Sequence, residues 1–124
     1  MPGPGAVWFG KEETDAVIEV IRSGYLFRYG SENDPSFLHK TATLEREFAR
    51  YSNAGYALAT SSGTASLLVS LLAAGLEPGD EIIVPAYTFV ASYSSAIFAG
   101  LVPVLAEIDE SLTLDPVDIE SRIT

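Results

Sequence analysis

The sequence predicts an α/β fold: a mostly parallel sheet sandwiched by helices. Three observations carry that expectation. From Tyr56 onward, short apolar segments alternate with helical ones, the order that builds crossover units and parallel pairing. The strand candidates at 56–60, 81–84 and 102–106 read as near-continuous apolar runs, as strands buried on both faces do. The helix candidate at 63–74, GTASLLVSLLAA, is apolar almost all round, which predicts burial on both sides.

Each element has a local reason. At 11–23, KEETDAVIEVIRS, the residues Val17, Ile18, Val20 and Ile21 form a helical apolar stripe. Glu12, Glu13 and Asp15 suit the positive end of the helix dipole and read as a solvated face, and Gly24 stops the helix. Residues 24–40 predict a long loop with the turn-prone run Ser31-Glu32-Asn33-Asp34-Pro35 and the aromatics Tyr25, Phe27, Tyr29 and Phe37 beside His39. A second helix is expected at about 41–53, with Leu44, Phe48 and Tyr51 on one face. The strand at 56–60 turns directly into the apolar helix, which Gly75 ends. Pro78-Gly79-Asp80 is a turn, and 81–84 is the next strand, closed by Pro85. A helix of small and apolar residues at 88–99 leads to the strand at 102–106. Asp115 opens an acidic helix to about Arg122, with Pro116 in its first turn. These few strands and helices offer too little surface to cover one another. The expectation is therefore the front portion of a larger domain, with another strand due after Thr124.

Composition removes several function classes. In 124 residues, seventeen acidic side chains face seven basic ones, and the net charge of −10 argues against nucleic acid and anionic membranes as partners. No apolar run approaches the roughly 18 residues a membrane span needs. The opening MPGPGAVWFGKEE has no basic segment before an apolar core, so no signal peptide is expected. The absence of cysteine excludes a disulfide scaffold and a thiolate metal site, and fits a cytoplasmic location. The single histidine, His39, makes a His-rich metal site improbable; it reads as a loop residue.

Two strand-to-helix junctions carry the chemistry. In Thr60-Ser61-Ser62-Gly63-Thr64-Ala65, backbone N–H groups at a helix start would bind an anion, and Gly63 would let it approach closely. An ordinary helix capped by Ser61 or Ser62 explains the same residues. The lysine and spacing of a Walker A loop are missing. In Pro85-Ala86-Tyr87-Thr88-Phe89-Val90, an aromatic at a sheet rim would stack on a flat ring, or Phe89 is simply core.

In order, the segments FGKEE, SGYLFRYG, LEREFARY, ATSSGTASL, EPGDEIIVPAYTFVAS, AGLVPVLAEID and LDPVDIESRIT resemble the opening of the DegT/StrS family. Its members are fold-type-I aminotransferases that use pyridoxal 5'-phosphate, mostly on keto sugars. The resemblance covers about Phe9 to Thr124 and implies the first part of the large, cofactor-binding domain at 41–124, preceded by a helix and substrate-side loop at 1–40. It places Gly63 and Thr64 at the cofactor phosphate and Phe89 on the pyridine ring, with Tyr87 and Thr88 beside it. It makes the turn at 78–81 and Asp109 structural.

The family's Schiff-base lysine sits in a Ser-x-x-Lys context, and the aspartate that pairs with the pyridine nitrogen sits in Asp-x-x-Gln or Asp-x-x-His. Neither Lys11 nor Lys40 has that context, so the resemblance implies that both groups lie beyond Thr124 and that no catalytic residue is in this chain. Within the family, Met-Pro-Gly at the start, Phe27-Arg28-Tyr29 and the stretch 106–112 resemble the branch that makes 8-amino-3,8-dideoxy-manno-octulosonate, an amino analogue of a lipopolysaccharide sugar acid. The 3-amino-5-hydroxybenzoate synthases carry a similar aromatic-Arg patch. Arg28, with Phe27 and Tyr29, would suit a substrate carboxylate, because a guanidinium pairs both oxygens; the alternatives are a surface arginine and loop aromatics packed on a dimer partner. The implied enzyme is a homodimer that moves an amino group from an amino acid, glutamate foremost, to a keto sugar or keto sugar acid. The rival readings are a cofactor-dependent sugar dehydratase and a non-catalytic binding protein of the same fold.

Overall fold

The computed structural model describes Gly3 and residues 5–124. The chain forms two compact units, one ending at Ala59 and the other running from Thr60 to Thr124. The sequence reading divides the chain after residue 40; here the second helix belongs to the first unit.

In the first unit, a short 3-10 turn at Ala6–Trp8 precedes α1, Lys11–Ser23, and α2, Lys40–Tyr51. The start of α1 is fixed by Glu13, whose carboxylate accepts the Gly10 N–H at 2.7 Å. That bond holds the Glu13 carboxyl below its ordinary pKa. The helix ends where Gly24 enters the left-handed region at φ 71° and donates its N–H to Ile21 O. The loop between the helices folds on its own aromatics. Phe37 lies 4.8 Å from Tyr25 and 4.2 Å from the His39 ring, centroid to centroid. Lys40 at the start of α2 pairs with Glu19 of α1 at 2.6 Å.

The strand expected at 56–60 is absent. A strand needs a ladder partner, and among the described residues the only ladder of two strands lies elsewhere. Side chains serve this backbone instead. Ala59 gives its N–H to Glu45 and its carbonyl accepts from Arg28, each at 2.8 Å.

The second unit contains α3, Gly63–Ala73; β1, Glu81–Pro85; α4, Ala91–Phe98; β2, Val102–Ala106; and α5, Pro116–Arg122. β1 and β2 pair in parallel from Glu81↔Val102 to Pro85↔Ala106, with α4 as the crossover. This confirms the parallel α/β expectation. The core forms where α3 and α4 pack: Ala96, Ala99 and Leu101 are buried, with Leu68, Leu71, Leu76 and Ile82 against them. Small side chains on α4 allow that close packing. Ser95 is buried beside them, and its hydroxyl is satisfied by the Ala91 carbonyl at 2.7 Å.

Two expectations need correction. The helix expected at 88–99 begins only at Ala91, because Thr88 and Phe89 belong to the loop that enters it. Burial on both faces is not met within this chain. Leu67, Val69 and Leu72 of α3 are exposed, as are Val102 and Leu105 of β2. Among the described residues α3 packs chiefly on α4, and a two-stranded sheet with α4 and α5 against it cannot cover every apolar face.

Candidate functional site

The start of α3 is a helix N-terminus capped by a side chain. Ser62 is the N-cap, in extended backbone, and its hydroxyl accepts the Ala65 N–H at 3.1 Å. The Ser62 carbonyl accepts the Ser66 N–H at 3.0 Å. Thr60 Oγ1 donates to the same carbonyl at 3.0 Å and lies 2.6 Å from Ser66 Oγ. Thr60 and Ser66 thus tie the loop to the first turn of α3. Gly63 and Thr64 are the first two helical residues, so their N–H groups have no acceptor inside the helix. No acidic side chain occupies this first turn, and the dipole adds partial positive charge.

Gly63 is the first residue of α3. Its φ lies outside the left-handed range, and a Cβ built on it meets no protein atom within 4 Å. Neither backbone conformation nor packing requires a glycine there. A phosphate bound at a helix start needs free N–H groups and close approach to the backbone.

The second candidate segment lies between β1 and α4. Phe89 is 75% exposed, so it is not core in this chain. Its carbonyl accepts the Ser92 N–H at 3.0 Å, and Thr88 Oγ1 lies 2.8 Å from Ser92 Oγ. Those two contacts set the direction of the loop as it enters α4. Tyr87 is exposed beside it. Both segments belong to the second unit and lead into the two helices that pack on each other.

The remaining candidates, Phe27, Arg28 and Tyr29, lie in the first unit. Phe27 and Tyr29 are 82% and 77% exposed. The Arg28 guanidinium lies 5.5 Å from the Tyr29 ring centroid. A cleft of about 200 Å³ opens here, lined among others by Tyr25, Phe27, Arg28, Phe37 and His39. The carboxylate that Arg28 pairs with is that of Glu45. Nothing in the sequence singles out Glu45, which lies seventeen residues from Arg28 and fourteen from Ala59. Both lysines are also paired, Lys11 with Asp15 and Lys40 with Glu19. Among the described residues no cluster of His, Asp or Glu is arranged to hold a metal ion, and no helix is long and apolar enough to cross a membrane.

Residues 8–124 match the profile of the DegT/DnrJ/EryC1/StrS aminotransferase family. The chain belongs to this family. Among its DegT/DnrJ/EryC1/StrS relatives, it is 40% identical over 116 residues to the spore coat polysaccharide biosynthesis protein SpsC of Bacillus subtilis, covering 93% of this chain and 28% of SpsC. It is 39% identical over 125 residues to the L-glutamine:2-deoxy-scyllo-inosose aminotransferase of Micromonospora echinospora, covering 99% of this chain and 27% of that enzyme. An aminotransferase structure from Psychrobacter cryohalolentis superimposes with a TM-score of 0.84 at 33% identity, over all of this chain and 29% of that one. The Escherichia coli GDP-4-keto-6-deoxy-D-mannose-3-dehydratase, solved with bound hydrated PLP, matches with a TM-score of 0.76 at 27% identity, over 94% of this chain and 29% of that one. The chain thus spans less than a third of the length of each of these relatives. The fold class read from the sequence, part of the fold-type-I aminotransferase large domain, is the one these structures share.

Proposed function

We propose that this chain supplies the phosphate cradle and the ring-stacking aromatic of an enzyme that uses pyridoxal 5'-phosphate to move an amino group onto a keto sugar or keto sugar acid. The observation that carries the reading is the start of α3, where the Gly63 and Thr64 N–H groups lack helix acceptors and no protein atom lies within 4 Å of a Cβ at Gly63. These residues fit the cofactor's phosphate, a dianion that needs several donors and close approach. When bound, the cofactor supplies an electron-withdrawing ring that makes the amino donor's α-hydrogen acidic.

This chain's own residues bind and orient. Gly63 and Thr64 donate to the phosphate, Ser62 keeps the turn closed, and Phe89 covers one face of the ring, with Tyr87 and Thr88 beside it. Phe27 and Tyr29 are the substrate-side aromatics. The donor is glutamate, or glutamine as in the name of the Micromonospora relative. Neither Lys11 nor Lys40 stands in the Ser-x-x-Lys context of the family, so this chain's part in the reaction is to hold the cofactor and not to bond it. The enzyme works as a cytoplasmic homodimer. A second reading, a cofactor-dependent sugar dehydratase, is supported by the likeness to the E. coli dehydratase.

The test is Gly63→Val in the intact enzyme, with cofactor binding followed by absorbance. Because the added side chain starts in open space, the fold should survive, as a thermal melt would show. Affinity for pyridoxal phosphate should fall by at least about tenfold, the loss of roughly one good charged hydrogen bond. Full affinity would remove the turn from the site. Amino transfer from glutamate to a keto sugar, assayed on the unsubstituted enzyme, separates the two reactions.

A further inference from the structure

We infer that Glu45 is a specificity-determining residue: by neutralising Arg28 it makes the cleft beside Phe27 a site for an uncharged keto sugar and not for a keto sugar acid. This rests on the reading of Phe27 and Tyr29 as substrate-side aromatics. All the residues involved belong to the unit that ends at Ala59.

The cleft of about 200 Å³ is walled by the rings of Tyr25, Phe27 and Phe37, with Arg28 and Lys40 as its arginine and lysine. Drug-sized ligands need roughly 300–1,000 Å³, so this space suits a single sugar ring. The wall is tightly built. A Cβ on Gly30 would lie 2.6 Å from Phe37 Cγ and 2.7 Å from the Tyr25 hydroxyl. Packed aromatic faces match the apolar C–H face of a sugar.

Neither cation is left free for a carboxylate. Arg28 Nη2 pairs with Glu45 Oε1, and Nη1 donates to the Ala59 carbonyl at 2.8 Å. Glu45 is held in place by the Ala59 N–H, which the same oxygen accepts at 2.8 Å. Lys40 pairs with Glu19 at 2.6 Å. The Arg28 and Glu45 side chains are 29% and 18% exposed, so water screens them only in part. A sugar carboxylate that took the guanidinium would strand the Glu45 charge away from water, a cost an uncharged ring does not meet.

The experiment measures amino transfer from glutamate by the intact enzyme to 3-keto-D-glucose and to 3-keto-D-glucuronate. These acceptors differ only in a hydroxymethyl group against a carboxylate. The uncharged acceptor should be favoured by at least about tenfold in kcat/KM, with the difference in KM. Glu45→Gln keeps the shape but leaves the Arg28 charge uncompensated. It should cut that preference by about tenfold or more, through a lower KM for the acid, with cofactor absorbance unchanged. Arg28→Gln combined with Glu45→Gln removes both charges and should raise the KM for the acid again. The double variant holds no unpaired half-buried charge, which guards against a single variant that does not fold. A preference for the acid in the unsubstituted enzyme would overturn the proposal. So would a ratio that neither variant moves, or equal loss with both acceptors, which would mean a merely structural role. Phe27→Ala belongs in the same series. If it raises KM for both acceptors while Glu45→Gln leaves their ratio alone, only the role of Glu45 is wrong; if it changes neither KM, the substrate-side reading fails and this proposal with it.

Discussion

Gly79 donates its backbone N–H to the carbonyl of Gly100 at 2.9 Å, joining the turn before β1 to the turn before β2. The next contact is Val102 N–H to Asp80 O at 2.8 Å, and the parallel register follows at Glu81↔Val102. The two turns thus start the sheet. Gly100 is in the left-handed region at φ 80°, and a Cβ there would lie 3.2 Å from Pro78 Cβ and 3.5 Å from its Cα. Backbone and ring leave that contact little room to relax.

Gly100→Ala should therefore destabilise the protein by about 1–2 kcal/mol, the cost of a left-handed L-residue, with crowding against Pro78 adding to it. Gly55→Ala is the control, since a Cβ there meets nothing within 4 Å and its φ is outside the left-handed range. It should change stability by no more than about 0.5 kcal/mol. Urea unfolding of both variants checks this. Equal effects would mean that the Pro78 contact and the φ of Gly100 do not constrain the turn.

Phe89 gives a prediction on binding without a matching one on stability. The ring is exposed and fills no core position. Phe89→Ala should leave the unfolding midpoint nearly unchanged and weaken retention of pyridoxal phosphate by roughly 1 kcal/mol or more, the scale of an aromatic stack. Equilibrium dialysis or an absorbance titration reads the second quantity. Unaltered retention would send Phe89 back to the surface.

What the sequence made legible was local. Gly24 and Gly75 end helices, Ser62 and Asp115 cap them, and Pro116 starts one; each signal acts within a turn of itself. The parallel pair was legible because its two apolar runs flank a helix of crossover length. Residues 56–60 misled because an apolar run specifies burial and not pairing, and the partners of Ala59 turned out to be side chains. The phosphate turn was readable as a helix start, but two rival explanations fitted equally. The structure adds that a Cβ at Gly63 would meet no protein atom within 4 Å, and space is a three-dimensional property. Glu45 was invisible for the same reason: it sits among Leu44, Arg46 and Glu47 on an amphipathic helix and looks like any surface glutamate.

The last prediction concerns acid. Asp118 in α5 accepts the Glu107 N–H at 2.8 Å and pairs with Arg122 at 3.2 Å. First the Glu107 N–H, then Arg122, holds its carboxyl below the ordinary aspartate pKa. A group whose pKa is lower in the folded state contributes stability above its unfolded value and loses it as pH falls through the folded one. The contribution should be complete at neutral pH and fade from about pH 5 downward, as an unfolded aspartate of pKa about 3.9 begins to take up its proton. Asp118→Asn removes the titration and keeps the shape. The stability gap between the two proteins, measured by urea unfolding, should be widest at neutral pH and should close as pH falls through that window. Asp34 and Asp109, held down in the same direction by Ser36 and Ser111, titrate in both proteins and cancel in the difference. A gap that stays constant from neutral pH to well below pH 4 would show that the bond to Glu107 does not depend on the charge of Asp118.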